Sequence, residues 1–217
     1  MGRPRQIDRP AILGASLELA DESGLAAVTM QAVAERLGVT AMAIYRHVDS
    51  KAALLDGVVE SLLAEIPLPP PHAAWDEQLV AMGLALREIA RRHPSVFPLL
   101  LQRPAVTAGA RRVRAHVYAV LREAGVASQH IERVERIIST LAIGFAAGEA
   151  SGRFRGSRAA LEREYHALAT FIRSGIEPFR AERRPEGTPP APSSTAGARA
   201  SEGTPPVSRR ARRSTRA

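Results

Sequence analysis

Residues 29–51, TMQAVAERLGVTAMAIYRHVDSK, decide how the rest of the chain is read. They describe two short helices joined by a tight turn. Thr29 caps the first, its hydroxyl accepting a backbone N–H that has no partner inside the helix. Val33 and Leu37, four apart, share one face with Ala34 beside them. Gly38 ends this helix, because the residue past a helix end often takes a left-handed backbone that only glycine adopts cheaply. Val39 is an apolar plug and Thr40 caps a second helix, Ala41 to Val48. Ile44 and Val48 point inward there, leaving Ala41, Met42, Tyr45, Arg46 and His47 outward or sideways. The small Ala34 lets the two helices cross closely. This apolar–small–Gly–apolar spacing is a helix-turn-helix signature, in which the second helix lies in the major groove of DNA. An ordinary helical hairpin reproduces part of it, so the flanks must arbitrate.

The flanks favour DNA. The segment from Ile12 to Leu63, with ILGASLELADESGLAAVTM followed by AVAERLGVTAMAIYRHVDSKAALLDGVVE, resembles the DNA-binding domain of the TetR (tetracycline-repressor) family of bacterial transcriptional regulators. Its most specific part is Leu37-Gly38-Val39, then Ile44-Tyr45-Arg46-His47-Val48, then Lys51. In that family the equivalent tyrosine, histidine and lysine commonly touch the DNA backbone, which the resemblance carries to Tyr45, His47 and Lys51. Thr29, Gln31 and Thr40 stand where family members meet phosphates or base edges. One departure is plain. Ala41 and Ala43 are too short to hydrogen-bond to bases, although their methyls can meet a thymine methyl. Base readout then falls to Gln31, Arg46 and Met42. Arg46 has two readings, a fork onto guanine or a phosphate contact.

Charge alone is a poor guide here. The chain of 217 residues carries a net charge of +8, but residues 181–217 hold eight Arg against three Glu. Residues 11–66 carry three basic and eight acidic side chains. Local placement must therefore carry the argument. Lys51, the only lysine, sits where a helix N-terminus also favours an anion, so a phosphate contact is the functional reading and a solvated side chain the alternative. Arg3 and Arg5, around Pro4 in a polar arm of residues 1–10, suit a narrow minor groove, or simply fray.

The remaining composition bounds the class. Apolar residues make up 45%, enough for a core, and the absence of cysteine excludes disulfides and thiolate metal sites. With no apolar run near eighteen residues and no secretory pattern, a soluble cytoplasmic protein without membrane contact is the expectation. A nucleophile elbow, a phosphate loop and paired metal-ligand motifs are all missing from the sequence, so an enzyme is not expected, nor a metal or other cofactor.

The whole reads as all-α: an N-terminal three-helix helix-turn-helix domain at 11–66 and a C-terminal helical ligand-binding and dimerisation domain at 67–180. Helix 1 starts near Pro10 and closes at Gly24. A fourth helix, Lys51 to Glu65, carries Leu54, Leu55, Val58, Val59, Leu62 and Leu63. That stripe is too wide for one neighbour, which makes this helix the mechanical link between domains. Pro67-Leu68-Pro69-Pro70-Pro71 marks the boundary. Further helices are read at 75–92, 95–101, 107–124, 128–151 and 158–174. Residues 181–217, rich in Pro, Gly, Ser, Thr and Ala, form a basic tail whose composition predicts disorder. Its Arg209-Arg210-Ala211-Arg212-Arg213 cluster adds sequence-blind DNA affinity or is merely solvated.

The stretch from Trp75 to Pro104, with AIGFAAGEA later, resembles the C-terminal regulatory domain of the tetracycline-repressor branch, which dimerises and encloses a small molecule. Ile131, Val134, Ile138, Leu141, Ala142 and Phe145, with Leu161, Tyr165, Leu168 and Ile172, suit a four-helix dimer bundle or an internal core. Candidate walls for an apolar effector are Trp75, Met82, Leu86, Phe97, Leu100, His116, Val117, Tyr118 and Phe145. Tetracycline-binding members place a metal-holding histidine shortly before an Arg-Pro turn. Leu99 to Leu101 stand there instead, so a metal-chelated drug is not the expected effector. The resulting expectation is a homodimeric repressor on a palindromic double-stranded operator, released by a small, largely apolar effector. The alternative is a DNA-binding activator or partner-controlled regulator without such a ligand.

Overall fold

Among the described residues, six helices begin on a side-chain oxygen placed three residues before the backbone N–H it accepts. Asp8 accepts from Ala11 at 2.9 Å, Thr29 from Ala32 at 3.0 Å and Ser50 from Ala53 at 3.1 Å. Thr107, Thr40 and Ser157 do the same at 3.2–3.3 Å. Each satisfies a donor that a helix start leaves open, contributing about 1 kcal/mol. In this computed structural model, which describes residues 7–103 and 107–181, the helices are α1 (Arg9–Ser23), α2 (Met30–Leu37), α3 (Ala41–Tyr45), α4 (Lys51–Ala64), α5 (Trp75–Arg92), α6 (Leu99–Gln102), α7 (Ala108–Glu123), α8 (Ile131–Ala150) and α9 (Arg158–Ile176). Among the described residues there is no strand, so the chain is all-α as its periodicity predicts.

Three boundaries differ from the sequence reading by about three residues or more, each for a local reason. The recognition helix ends at Tyr45 instead of Val48. His47 and Val48 both donate back to the Ile44 carbonyl, at 2.9 and 3.0 Å, and this turn lets Val48 enter the core before Ser50 starts α4. Residues 94–98 form turns in place of a helix from 95, because Pro94 and Pro98 cannot donate and crowd a preceding turn. The first turn expected of the eighth helix is a 3-10 segment, Ser128–His130.

The helix-turn-helix core is built from Ile12 of α1, Val33 and Ala34 of α2, Ile44 of α3 and Leu54 and Val58 of α4, all at most 1% exposed. Gly38 adopts φ 68 and ψ 36, the left-handed conformation that the turn after α2 requires, and its N–H bonds back to α2. Gly57 matters for a different reason. A Cβ there would stand 3.2 Å from Leu13 Cδ1 and nearer still to Cδ2, so the bare backbone permits the close α1–α4 crossing.

Beyond the proline run, α5 packs along α8 through Met82, Ile89 and Ala90 on one side and Val134, Ile138 and Ala146 on the other, all buried. Ile131, Val134 and Ile138, which open the α8 stripe, are buried within the chain itself, the internal-core alternative for these three residues. The large apolar side chains that α8 and α9 leave exposed are Ile137 and Phe171, at 46% and 64%. Polar bonds join α1 and α4 to the later helices. Arg103 pairs with Asp56 and donates to the Ala52 carbonyl at 2.8 Å. Arg112 donates to the carbonyls of Leu63 and Ile66 at 2.8 and 3.1 Å. His93 Nδ1 lies 2.7 Å from Asp21 of α1, and Arg92 lies 2.6 Å from Glu65.

Candidate nucleic-acid interface and apolar cavity

One face of the helix-turn-helix unit remains in solvent. Met42 is 67% exposed and Tyr45 46%, with Arg46, His47 and Lys51 also exposed and Ala41 half-buried. Among the described residues, Arg46, His47 and Lys51 have no carboxylate partner. The polar residues of α2 are differently placed. Gln31 Nε2 donates to Glu35 Oε1 at 2.8 Å. Arg36 is drawn back to α1, with one nitrogen 2.8 Å from Glu22 and a second contact to Glu18 at 3.4 Å. The hydrogen bond from Arg36 holds the Glu22 carboxyl below its ordinary pKa. Thr29 and Thr40 sit at the edge of the surface with their hydroxyl oxygens capping α2 and α3. Of the sequence candidates, Thr29, Gln31, Thr40, Met42, Tyr45, Arg46, His47 and Lys51 are exposed and Ala41 is half-buried. Arg3 and Arg5 lie outside the described residues.

A cavity opens among α4, α5, α7 and α8, with about 1030 Å3 of empty space, part of it open to solvent. Met82, Leu86, Leu100 and Val117 line it as the sequence suggests. Trp75 lines a neighbouring cavity between α5 and α9, which shares Leu79, Gly83, Ala142 and Ile172 with the first. The other four candidates line neither. Phe97 is wholly buried in the core. The Phe145 ring turns toward α9, 5.2 Å from Phe154 and 5.9 Å from Tyr165. His116 is half-buried with Nε2 unpaired among the described residues. Tyr118 is half-buried beside Glu132 and Glu135, and its pKa is raised by burial first and those charges second. Apolar helical residues at one spacing serve core and cavity alike, so spacing alone does not separate Phe97 and Phe145 from the cavity walls.

The sequence reading missed the cavity's remaining walls. Val59 and Leu63 of α4, with Ile66 just after it, contribute one side. The excess width of the α4 stripe was the available signal. Polar groups come from Arg103, Thr107, Arg114, Glu135 and Ser139, with the Ser139 hydroxyl 2.8 Å from Glu135 Oε1. They occupy a minority of an otherwise apolar lining, the usual make-up of a small-molecule site.

Behind the second cavity lies a buried ionic cluster. Arg87, 1% exposed, donates to Glu149 at 2.7 and 3.0 Å and to Glu162 at 2.8 Å, with its guanidinium 4.5 Å from the Tyr165 ring centroid. The Tyr165 hydroxyl donates to the Val80 carbonyl at 3.0 Å, and burial pushes its pKa up to about 12. These bonds fix α9 against α5 and α8 at the cavity's edge.

The chain matches two family models. Residues 12–58 match bacterial regulatory proteins of the tetR family, and residues 79–172 match the tetracyclin repressor-like C-terminal domain. An HTH-type transcriptional regulator from Saccharopolyspora erythraea is 30% identical over 169 residues, covering 73% of this chain and 72% of that protein. The class A tetracycline repressor from transposon 1721 of Escherichia coli is 29% identical over 178 residues, covering 77% of this chain and 79% of its own. In fold the chain is similar to ActR of Streptomyces coelicolor, solved in complex with actinorhodin, with TM-score 0.73 and 19% identity over 82% of this chain and 99% of that one. Among the described residues no helix is long and apolar enough to cross a membrane. The exposed helix-turn-helix surface, the all-helical architecture and this pattern of kinship agree: the chain belongs to the TetR family of DNA-binding transcriptional regulators.

Proposed function

We propose that the protein is a homodimeric cytoplasmic repressor that leaves a near-palindromic operator when a small, largely apolar effector fills its cavity. One observation carries this reading: Val59 and Leu63, on the same helix that starts with Lys51, line the cavity. A ligand seated there presses on a rigid element whose other end abuts the DNA-binding surface. Effector and DNA then favour different settings of α4, which is the thermodynamic requirement for one to weaken the other. Residues 11–66 serve as the DNA-binding domain and 67–180 as the effector and dimer domain.

Dimerisation supplies the second recognition helix, about one DNA turn from the first. Its support is the apolar groove between α8 and α9, where exposed Ile137 and Phe171 stand beside Leu141 and Phe179. The effector's body is apolar, with a polar group facing Arg103, Arg114, Glu135 or Ser139. Mobility shift of the full chain on its own promoter region tests the first half. Preference over random duplex is expected, and equal affinity for both overturns the reading. A compound screen by thermal shift tests the second half. Compounds that raise the melting temperature should release the operator; stabilisers that leave DNA affinity unchanged argue against effector control.

A further inference from the structure

The polar side chains of α2 are already engaged within the protein. The Gln31 amide is bonded to Glu35, and Arg36 is held by Glu22 and Glu18 of the neighbouring helix. Thr29 and Thr40 use their hydroxyl oxygens as caps. Arg46, His47 and Lys51 lie beyond the last residue of α3, where they suit phosphates. What α3 itself presents is Ala41, Met42 and Ala43, followed by Tyr45. Met42, at 67%, is the most exposed large apolar side chain among the described residues.

An exposed thioether followed within a few residues by the unpartnered Arg46 and Lys51 has a particular complement: a polyanion with an apolar patch inside its groove. The C5-methyl of thymine is the apolar group that the major groove offers. Met is unbranched and adaptable enough to follow it. We propose that this protein selects its operator through thymine methyl groups met by Ala41, Met42 and Ala43, with no purine-edge hydrogen bond as the main determinant. The inference rests on the DNA-binding reading above and names the base feature that it recognises.

The test uses the full chain and a duplex selected by it from a random library. Each thymine is replaced in turn by deoxyuridine, which lacks only the methyl. At one or two positions per half-site the substitution should weaken binding about three- to fivefold, the equivalent of one buried methyl-sized group. Substitution in both half-sites should cost about tenfold or more. Deoxyuridine outside the half-sites should change nothing. Met42→Ala, at an exposed position that does not support the fold, should abolish most of the penalty at one of these positions. If every uridine duplex binds like its parent while 7-deazaguanine weakens binding, purine readout by Arg46 replaces this inference and the regulator reading stands. If no duplex is enriched over random sequence, both fall together.

Discussion

Glu60 Oε1 on α4 accepts the backbone N–H of Gly109 in the first turn of α7, at 2.6 Å. This carboxylate does the work of a helix cap from across a tertiary contact, complementing Thr107, which caps Ala110 at 3.2 Å. A Cβ on Gly109 would stand 2.8 Å from the same Oε1, so glycine is what lets the carboxylate reach the nitrogen. Glu60→Ala removes the acceptor and Gly109→Ala pushes it away. Each should destabilise by about 1–2 kcal/mol, a fall of roughly 2–8 °C in melting temperature for a chain of this size. Because both act on one contact, the double variant should cost little more than the worse single one. Fully additive losses would show that the two residues do not depend on each other.

The Arg87 cluster makes stability depend on acid. Glu162 is held below its ordinary pKa of 4.5 by the hydrogen bond from Arg87. At Glu149 burial is the largest effect and pushes upward, but Arg87 and Arg91 together outweigh it and the net shift is again downward. A carboxyl whose folded pKa lies below its unfolded value stabilises the fold above that unfolded value, and this contribution disappears as pH falls through the folded one. Melting temperature should therefore lose this contribution progressively below about pH 5, and Glu149→Gln with Glu162→Gln should flatten that part of the profile. Arg87→Met should be worse at neutral pH, by about 3 kcal/mol, because it leaves the buried Glu149 carboxylate with only the half-exposed Arg91 as its cation. A profile of unchanged slope in the double Gln variant would refute the assignment.

How much of this was legible in advance follows from the range of each signal. Thr29, Gly38 and Thr40 act on backbone groups within a few residues, so the helix-turn-helix unit could be read directly from residues 29–51. The stop at Tyr45 could not, because it depends on where Val48 meets the core. The cavity was half visible. Met82, Leu86, Leu100 and Val117 line it, whereas Phe97 and Phe145 carry the same apolar character and pack elsewhere. Helical spacing reports that a face is covered but not by what. The Arg87–Glu149–Glu162 cluster lay beyond reach for a simpler reason: its members are 62 and 75 residues apart, and nothing local announces that an arginine will be 1% exposed.

Ala142 lines both cavities from α8, so a large side chain there should occupy the space a ligand needs. Ala142→Phe is expected to keep cooperative melting, with at most about 1–3 kcal/mol lost to overpacking. It should sharply reduce the fluorescence gained when 1-anilinonaphthalene-8-sulfonate, an apolar fluorophore with one anionic group, is added to the native protein. Undiminished dye fluorescence in a variant that melts cooperatively would place the binding site elsewhere.

Salt dependence separates the cations that meet DNA from those that hold the protein together. Each phosphate neutralised by a side chain contributes about 0.9 to the slope of log affinity against log salt, because binding releases a condensed counterion. Lys51 and Arg46 are exposed and, among the described residues, without a carboxylate partner. In a dimer each acts twice, so Lys51→Ala should lower the slope by about two and weaken specific and random duplex alike. Arg36, bound to Glu22 and Glu18, provides the contrast. Arg36→Ala should cost stability by freeing α2 from α1, yet leave the slope almost unchanged in protein that remains folded. Binding titrations between 50 and 300 mM salt, about the range in which counterion release dominates, decide the matter. A slope lowered by Arg36→Ala and not by Lys51→Ala would mean that the DNA-facing surface has been drawn on the wrong side of the helix-turn-helix unit.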